Sequence, residues 1–346
     1  MPLDGTITAV VTPMVGRGEV DESAFRAFLR WQAGQGVDGV VVGGTTGESP
    51  TLTDHELQRL FETAVDELPS KVKVVAAVGR NHLPGTVSLC EAAVDLGIES
   101  VLLVDPYYSG PSSMEIRREH IEPVAAGFPS VGLVPYVVPG RTGTRLEPVD
   151  VARLVDDRRN LSAVKDATGD DAYARELRRR CPGLSILSGD DGRTLAMVRD
   201  PDIRATGVIS VTSNLAPDSV ARMVRAARDG DRTTADREAA RLRPLFDSVS
   251  ILAHEQTPSG ESVAVRSRNP VPIKTALALL GVPVGRCRPP LGQMGPVGFR
   301  AFVDTLTRIR RLDPGLFQPL TDAFGDAIDR RLSDAAIQRE LSYANW

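Results

Sequence analysis

Eight short runs rich in Val, Ile and Leu alternate with eight longer amphipathic stretches before residue 230. That alternation predicts an α/β fold: a (β/α)8 TIM barrel of parallel strands, followed by a C-terminal helical appendage. Two further observations point the same way. Most of the short runs are apolar on both sides, as strands covered on both faces must be. At 346 residues the chain exceeds one small core and fits a barrel of about 250 residues with an addition, or two domains.

Strands are expected at residues 7–11, 39–42, 72–78, 100–104, 131–138, 161–165, 184–187 and 207–211. Helices are expected between them at 21–35, 53–68, 83–96, 113–126, 148–157, 171–180, 194–199 and 217–229. Thr53-Asp-His-Glu56 has capping-box spacing, with the Glu able to bond back to the cap amide. The catalytic barrel therefore spans 1–229 and the C-terminal helical region 230–346. In the latter, 232–250, 272–280, 296–312 and 319–343 read as helices without strands. The polar stretch 254–268, interrupted by Pro258-Ser-Gly260, reads as a mobile extra loop near 253–268. An extended tail follows Leu312.

Composition excludes several classes. Net charge is −4 with acids and bases interspersed, so no nucleic-acid footprint is expected; Arg178-Arg-Arg180 reads as a solvated helix face. Cys90, Cys181 and Cys287 are far apart and odd in number, with no metal-ligand spacing. They are expected to be reduced thiols in a cytoplasmic protein. The N-terminus lacks the basic-then-apolar pattern of a signal peptide, and no apolar run is long enough for a bilayer.

Only four lysines occur, Lys71, Lys73, Lys165 and Lys274. Either Lys or Arg serves as a surface cation, but an amine that loses its proton and attacks a carbonyl cannot be arginine. Lys165 ends an apolar run, where desolvation lowers an amine's pKa; the alternative is a lysine reaching from a strand end to solvent. In a (β/α)8 enzyme the reacting groups come from the C-terminal ends of several strands. Those ends carry Gly43-Gly-Thr-Thr-Gly-Glu-Ser49, Asp105-Pro-Tyr-Tyr108, Tyr136 with Pro139-Gly-Arg-Thr-Gly143, Lys165, Gly189-Asp-Asp191 and Thr212-Ser-Asn214. The Gly-Thr-Thr-Gly turn offers hydroxyls and unhindered amides to a small carboxylate, although it also suits an ordinary βα connection. A phenol passes protons between substrate oxygen, amine and water; a tyrosine also simply caps a core, the reading favoured for Tyr107. Arg141 has the planar fork to grip a carboxylate, though most arginines in this chain must be surface groups.

Gly44-Thr-Thr-Gly-Glu-Ser49, Tyr136-Val-Val-Pro-Gly-Arg-Thr-Gly143, Lys165-Asp-Ala-Thr-Gly169, Ser188-Gly-Asp-Asp191 and Gly207-Val-Ile-Ser210 occur in that order. Together they resemble the pyruvate-dependent class I aldolase family that includes dihydrodipicolinate synthase and N-acetylneuraminate lyase, over about residues 4–300. The resemblance implies that Lys165 condenses with pyruvate to a Schiff base, which loses a methyl proton to become an enamine. It implies that Tyr136 is the proton shuttle and that Thr46 links it to Tyr108, which reaches across a tight dimer into the neighbouring site. Thr45 and Thr46 would hold the pyruvate carboxylate, and backbone at Gly189 and Ile209 would shape the pocket. No metal or other cofactor is implied, no nucleic-acid or membrane partner, and the assembly would be a homodimer or homotetramer. Arg141 points to the synthase branch, where this position receives the carboxylate of aspartate semialdehyde and the product is 4-hydroxy-tetrahydrodipicolinate, on the lysine pathway.

The chain departs from the family pattern at Val137, where Asn or Asp is common, and at Asp105, where Thr is common. An acid at 105 would stand beside the pocket and alter its charge preference. About a dozen extra residues lie between Ser250 and Asn269. Positions matching a lysine feedback site are Pro50, Asp54, Leu57, Asn81 and Gly85, without the acid expected at 85, so lysine inhibition should be weak or absent. Two alternatives stand beside the synthase reading. One is a related aldolase or dehydratase for a 2-keto-3-deoxy sugar acid or another aldehyde. The other is a non-catalytic binding paralogue, against which the intact Lys165–Tyr136–Thr46 set argues.

Overall fold

The computed structural model describes residues 3–16, 18–157, 160–325 and 328–345. Eight parallel strands close into a barrel: β1 (Gly5–Ala9), β2 (Gly39–Val42), β3 (Lys73–Ala77), β4 (Ser100–Val104), β5 (Gly132–Val137), β6 (Ala163–Asp166), β7 (Ser185–Ser188) and β8 (Gly207–Ser210). The first strand starts two residues earlier than expected, because its register against the last runs from Gly5↔Gly207 to Thr8↔Ser210. That seam needs glycine. A Cβ on Gly207 would lie 2.0 Å from the Gly5 carbonyl oxygen, and Gly5 itself has φ of 79°.

Each strand divides its apolar residues between two cores, since successive side chains point to opposite faces. Ile7, Val41, Val75, Leu102, Val134, Ala163, Leu187 and Ile209 fill the barrel interior. Their neighbours, such as Val40, Val101, Leu133 and Val164, face the surrounding helices. Those helices are α1 (Glu22–Gly34), α2 (Asp54–Glu67), α3 (Leu83–Asp95), α4 (113–127), α5 (Pro148–Asp157), α6 (Asp171–Arg180), α7 (Thr194–Arg199) and α8 (Pro217–Arg228). The capping box at α2 forms: the Glu56 amide donates to Thr53 Oγ1 at 3.2 Å, and the Thr53 amide to the Glu56 carboxylate at 2.9 Å.

Beyond the barrel lies α9 (Arg232–Phe246), packed on α8. The stretch expected to be a loop is instead an antiparallel hairpin, β9 (Ser250–Gln256) and β10 (Ser262–Arg268), turned at residues 257–261. Ile251, Ala253 and Glu255 alternate with exposed Leu252 and His254, as Val263 and Val265 do with Ala264 and Arg266. A period-two pattern this short and this polar reads as loop until a packing partner is known. The partner is α11 (Pro296–Leu312). Buried Glu255 accepts from the Val297 and Gly298 amides, each at 3.0 Å, at the positive end of that helix.

Helix α10 (Val271–Leu279) is buried along its whole length. The long helix expected at 319–343 is three: α12 (Gln318–Phe324), α13 (Ile328–Ser333) and α14 (Ala335–Leu341). Gly325, at φ 108°, ends the first, and Asp334 caps the last through the Ala336 and Ile337 amides. Residues 326–327 of the expected helix lie outside the described residues. The tail packs on α1, where Trp31 donates to the Pro319 carbonyl at 3.1 Å and meets Phe324 edge-on. Among the described residues no helix is long and apolar enough to cross a membrane, and all three cysteines are free and buried.

Candidate active site

Strand register sets the centre of the site. Tyr136 on β5 is the direct partner of Lys165 on β6, and both side chains point into the barrel. The Lys165 ammonium nitrogen lies 3.9 Å from the Tyr136 ring centroid. Lys165 is 5% exposed. Burial lowers its pKa; Tyr136 and Asp191 pull it part of the way back, and Arg141 lowers it further. The net lowering shifts the group toward the neutral amine, the form that attacks carbonyls.

Gly189 makes room for that side chain. A Cβ there would sit 3.2 Å from Lys165 Cε and 2.7 Å from the Ala167 Cβ. Ile209 belongs to the interior cluster with Tyr136 and Leu187.

The Gly-Thr-Thr-Gly turn after β2 forms one wall, with Thr45 on a cavity of about 200 Å³ and Thr46 buried behind it. The Thr12 hydroxyl donates to the Gly47 carbonyl at 2.7 Å. Glu48 follows in the left-handed region, at φ 63°. Its buried carboxylate takes the Lys274 amine at 2.7 Å and the Arg288 amide at 2.8 Å. Lys274 also donates to the carbonyls of Thr12 and Arg286, at 3.0 and 3.1 Å. A buried pair holds only when its remaining hydrogen-bonding capacity is met, and here the turn is fastened to α10.

Ala77, Leu102, Val104, Tyr107, Tyr136 and Arg141 supply more of the cavity lining. Tyr107 thus borders the site instead of capping the core, and its amide is held by Asn81 Oδ1 at 2.8 Å. Arg141 stands at the mouth and donates to the Asn269 carbonyl at 2.9 Å. Tyr108 is absent from the lining of this cavity. It is 98% exposed and has φ of 76°.

Asp105 does not stand beside the pocket. Val104 faces inward, so Asp105 faces outward, where its carboxylate accepts from the Leu146 amide at 3.2 Å. Burial raises its pKa to about 7.

One site residue was not found from the sequence. Asn269, between the hairpin and α10, is 6% exposed, and its Nδ2 donates to Thr46 Oγ1 at 3.0 Å. In the sequence, Asn-Pro reads only as a turn; nothing local brings it to a threonine 223 residues away.

Comparison with known proteins agrees with this geometry. Residues 2–308 match the model of the dihydrodipicolinate synthetase family. The 4-hydroxy-tetrahydrodipicolinate synthase of Pelobacter propionicus is 38% identical over 292 residues, 84% of this chain and 93% of that protein. The structure of the 4-hydroxy-tetrahydrodipicolinate synthase from Methylacidiphilum fumariolicum superposes with a TM-score of 0.81 at 33% identity, covering 92% of this chain and 99% of that one. A chloride-inhibited dihydrodipicolinate synthase from Acinetobacter baumannii, solved with pyruvate, gives 0.78 at 29% identity, covering 90% and 99%. The chain belongs to the dihydrodipicolinate synthetase family, as a lyase of the 4-hydroxy-tetrahydrodipicolinate synthase type.

Proposed function

We propose that Lys165 is the Schiff-base residue through which pyruvate is condensed with aspartate semialdehyde. The observation that carries this reading is a buried, pKa-lowered amine against a phenol, under a cavity with one arginine at its mouth. The neutral amine adds to the keto carbon of pyruvate, water leaves, and an iminium forms. Loss of a methyl proton gives the enamine, whose carbon attacks the aldehyde while the aldehyde oxygen takes a proton. The amine of the acceptor then displaces Lys165 and closes the ring. The iminium is the electron sink, so this route calls on no further cofactor.

Tyr136 carries these protons in this reading. Thr45 and Thr46 hold the pyruvate carboxylate, Gly189 and Ile209 shape the space around the adduct, and Arg141 receives the acceptor's carboxylate. Tyr108, exposed in the single chain, completes the neighbouring site in a homodimer or in a tetramer of two such dimers.

Incubation with pyruvate, borohydride reduction and peptide mapping tests the first step. A reduced adduct is expected on Lys165 and none in Lys165→Arg. An unmodified parent enzyme would rule the mechanism out. A panel of aldehydes then ranks the acceptor, with aspartate semialdehyde expected to give the highest kcat/KM, above the aldehydes of 2-keto-3-deoxy sugar acids.

A further inference from the structure

We propose that Asn269 is a positioning residue: it fixes the direction of the Thr46 hydroxyl and thereby the sense in which protons pass between Thr46 and Tyr136. The inference rests on the Schiff-base reading above.

Asn269 enters from outside the barrel, on the segment that leaves β10, yet its side chain is buried against the Gly-Thr-Thr-Gly turn. A hydroxyl has one proton to give and two lone pairs to fill. The Asn269 Nδ2 fills one lone pair at 3.0 Å, and an N–H group cannot accept. The Thr46 proton must therefore point away from Asn269, which leaves it free for the proton exchange with Tyr136 that the Schiff-base reading asks of it.

The other end of the same carboxamide is unsatisfied. Asn269 Oδ1 is buried without a hydrogen-bond partner, and an unpaired buried acceptor costs stability. Leucine, of nearly the same shape, would carry no such cost. What the amide supplies in return is a donor aimed at Thr46.

The backbone leaves this donor little freedom. The Asn269 amide donates to the Val249 carbonyl at 3.0 Å, and its carbonyl accepts from Arg141 at 2.9 Å. Arg268 reaches back to the Gly140 carbonyl at 3.3 Å. Residues 140–141 and 268–269 thus clasp each other, and the hairpin delivers Asn269 with its orientation imposed.

Asn269→Asp and Asn269→Leu test the idea from opposite sides. Ionised aspartate keeps the shape but only accepts, so it turns the Thr46 proton away from the cavity; leucine leaves the hydroxyl free to rotate. We expect kcat to fall roughly tenfold in Asn269→Leu and roughly a hundredfold in Asn269→Asp, the latter at the low end of the range for lost proton transfer. The kcat–pH profile should shift in Asn269→Asp, and Asn269→Leu should melt no lower than the parent. On a Thr46→Val background, Asn269→Leu should lower kcat no further. Parental kcat and pH profiles in both variants would overturn the proposal, as would additive losses in the double variant. If Asn269→Asp does not fold, Asn269→Leu and the double variant decide alone. Borohydride trapping on the parent separates the two levels: no adduct removes the Schiff-base reading, whereas an adduct with kinetically parental Asn269 variants removes this inference only.

Discussion

Asp105 and Val104 are adjacent in the chain and face opposite ways, and that decides what an acid at 105 does. It leaves the pocket alone and acts on stability. Its carboxyl ionises near 3.8 when solvated and at about 7 in the fold. A raised acid pKa favours the folded state fully below the lower value and loses that contribution as pH rises through the higher one. Asp105→Asn should therefore match the parent near pH 4 and exceed it at pH 8, by up to about 4 kcal/mol. Denaturation midpoints at the two pH values check this; an equal difference at both would show that Asp105 ionisation is not involved. Lysine scarcity likewise marked two buried residues, not one. Lys165 lacks an anionic hydrogen-bond partner among the described contacts and meets a phenol ring, whereas Lys274 meets a carboxylate and two carbonyls. Sequence separates them only through the motif around Lys165.

Among the elements, the loop after β3 and the start of α2 bear on feedback. Arg80 donates to Asp54 at 2.6 Å and to the Ser49 hydroxyl at 3.1 Å. Leu57 is buried, and Gly85 offers no carboxylate. With Asp54 already engaged by Arg80 and no carboxylate at 85, a free lysine ammonium meets a weakened acidic partner here, so initial rates should be unchanged by sub-millimolar lysine. Strong inhibition in that assay would refute the point. The barrel strands were legible because both faces of each are buried, which leaves a continuous apolar run. The β9–β10 hairpin was not, because one face meets solvent and the other meets a single helix. The three-part tail read as one helix, since only Gly325 and the Asp334 cap interrupt its pattern.

At the level of the whole molecule, Tyr108 is the residue a single chain leaves unexplained. Its left-handed backbone and full exposure are compatible with the role proposed for it in a neighbouring site, since non-glycine residues held at positive φ gather at functional sites. Tyr108→Phe should lower kcat by at least about tenfold while the melting temperature stays close to the parent's, because exposed substitutions usually change stability by no more than about 0.5 kcal/mol. Losses of both in step would remove the catalytic role.

The Glu48–Lys274 pair carries a consequence for synthesis. The counter-charge that settles the Gly-Thr-Thr-Gly turn is supplied 226 residues later in the chain, and the amide of Arg288 later still. A nascent polypeptide that has emerged through β8 has every barrel strand and every reacting side chain, but Glu48 has no cation to be buried with. Glu48 is therefore left without its counter-charge until α10 has been synthesised, and the turn it follows is settled only late in the making of the chain.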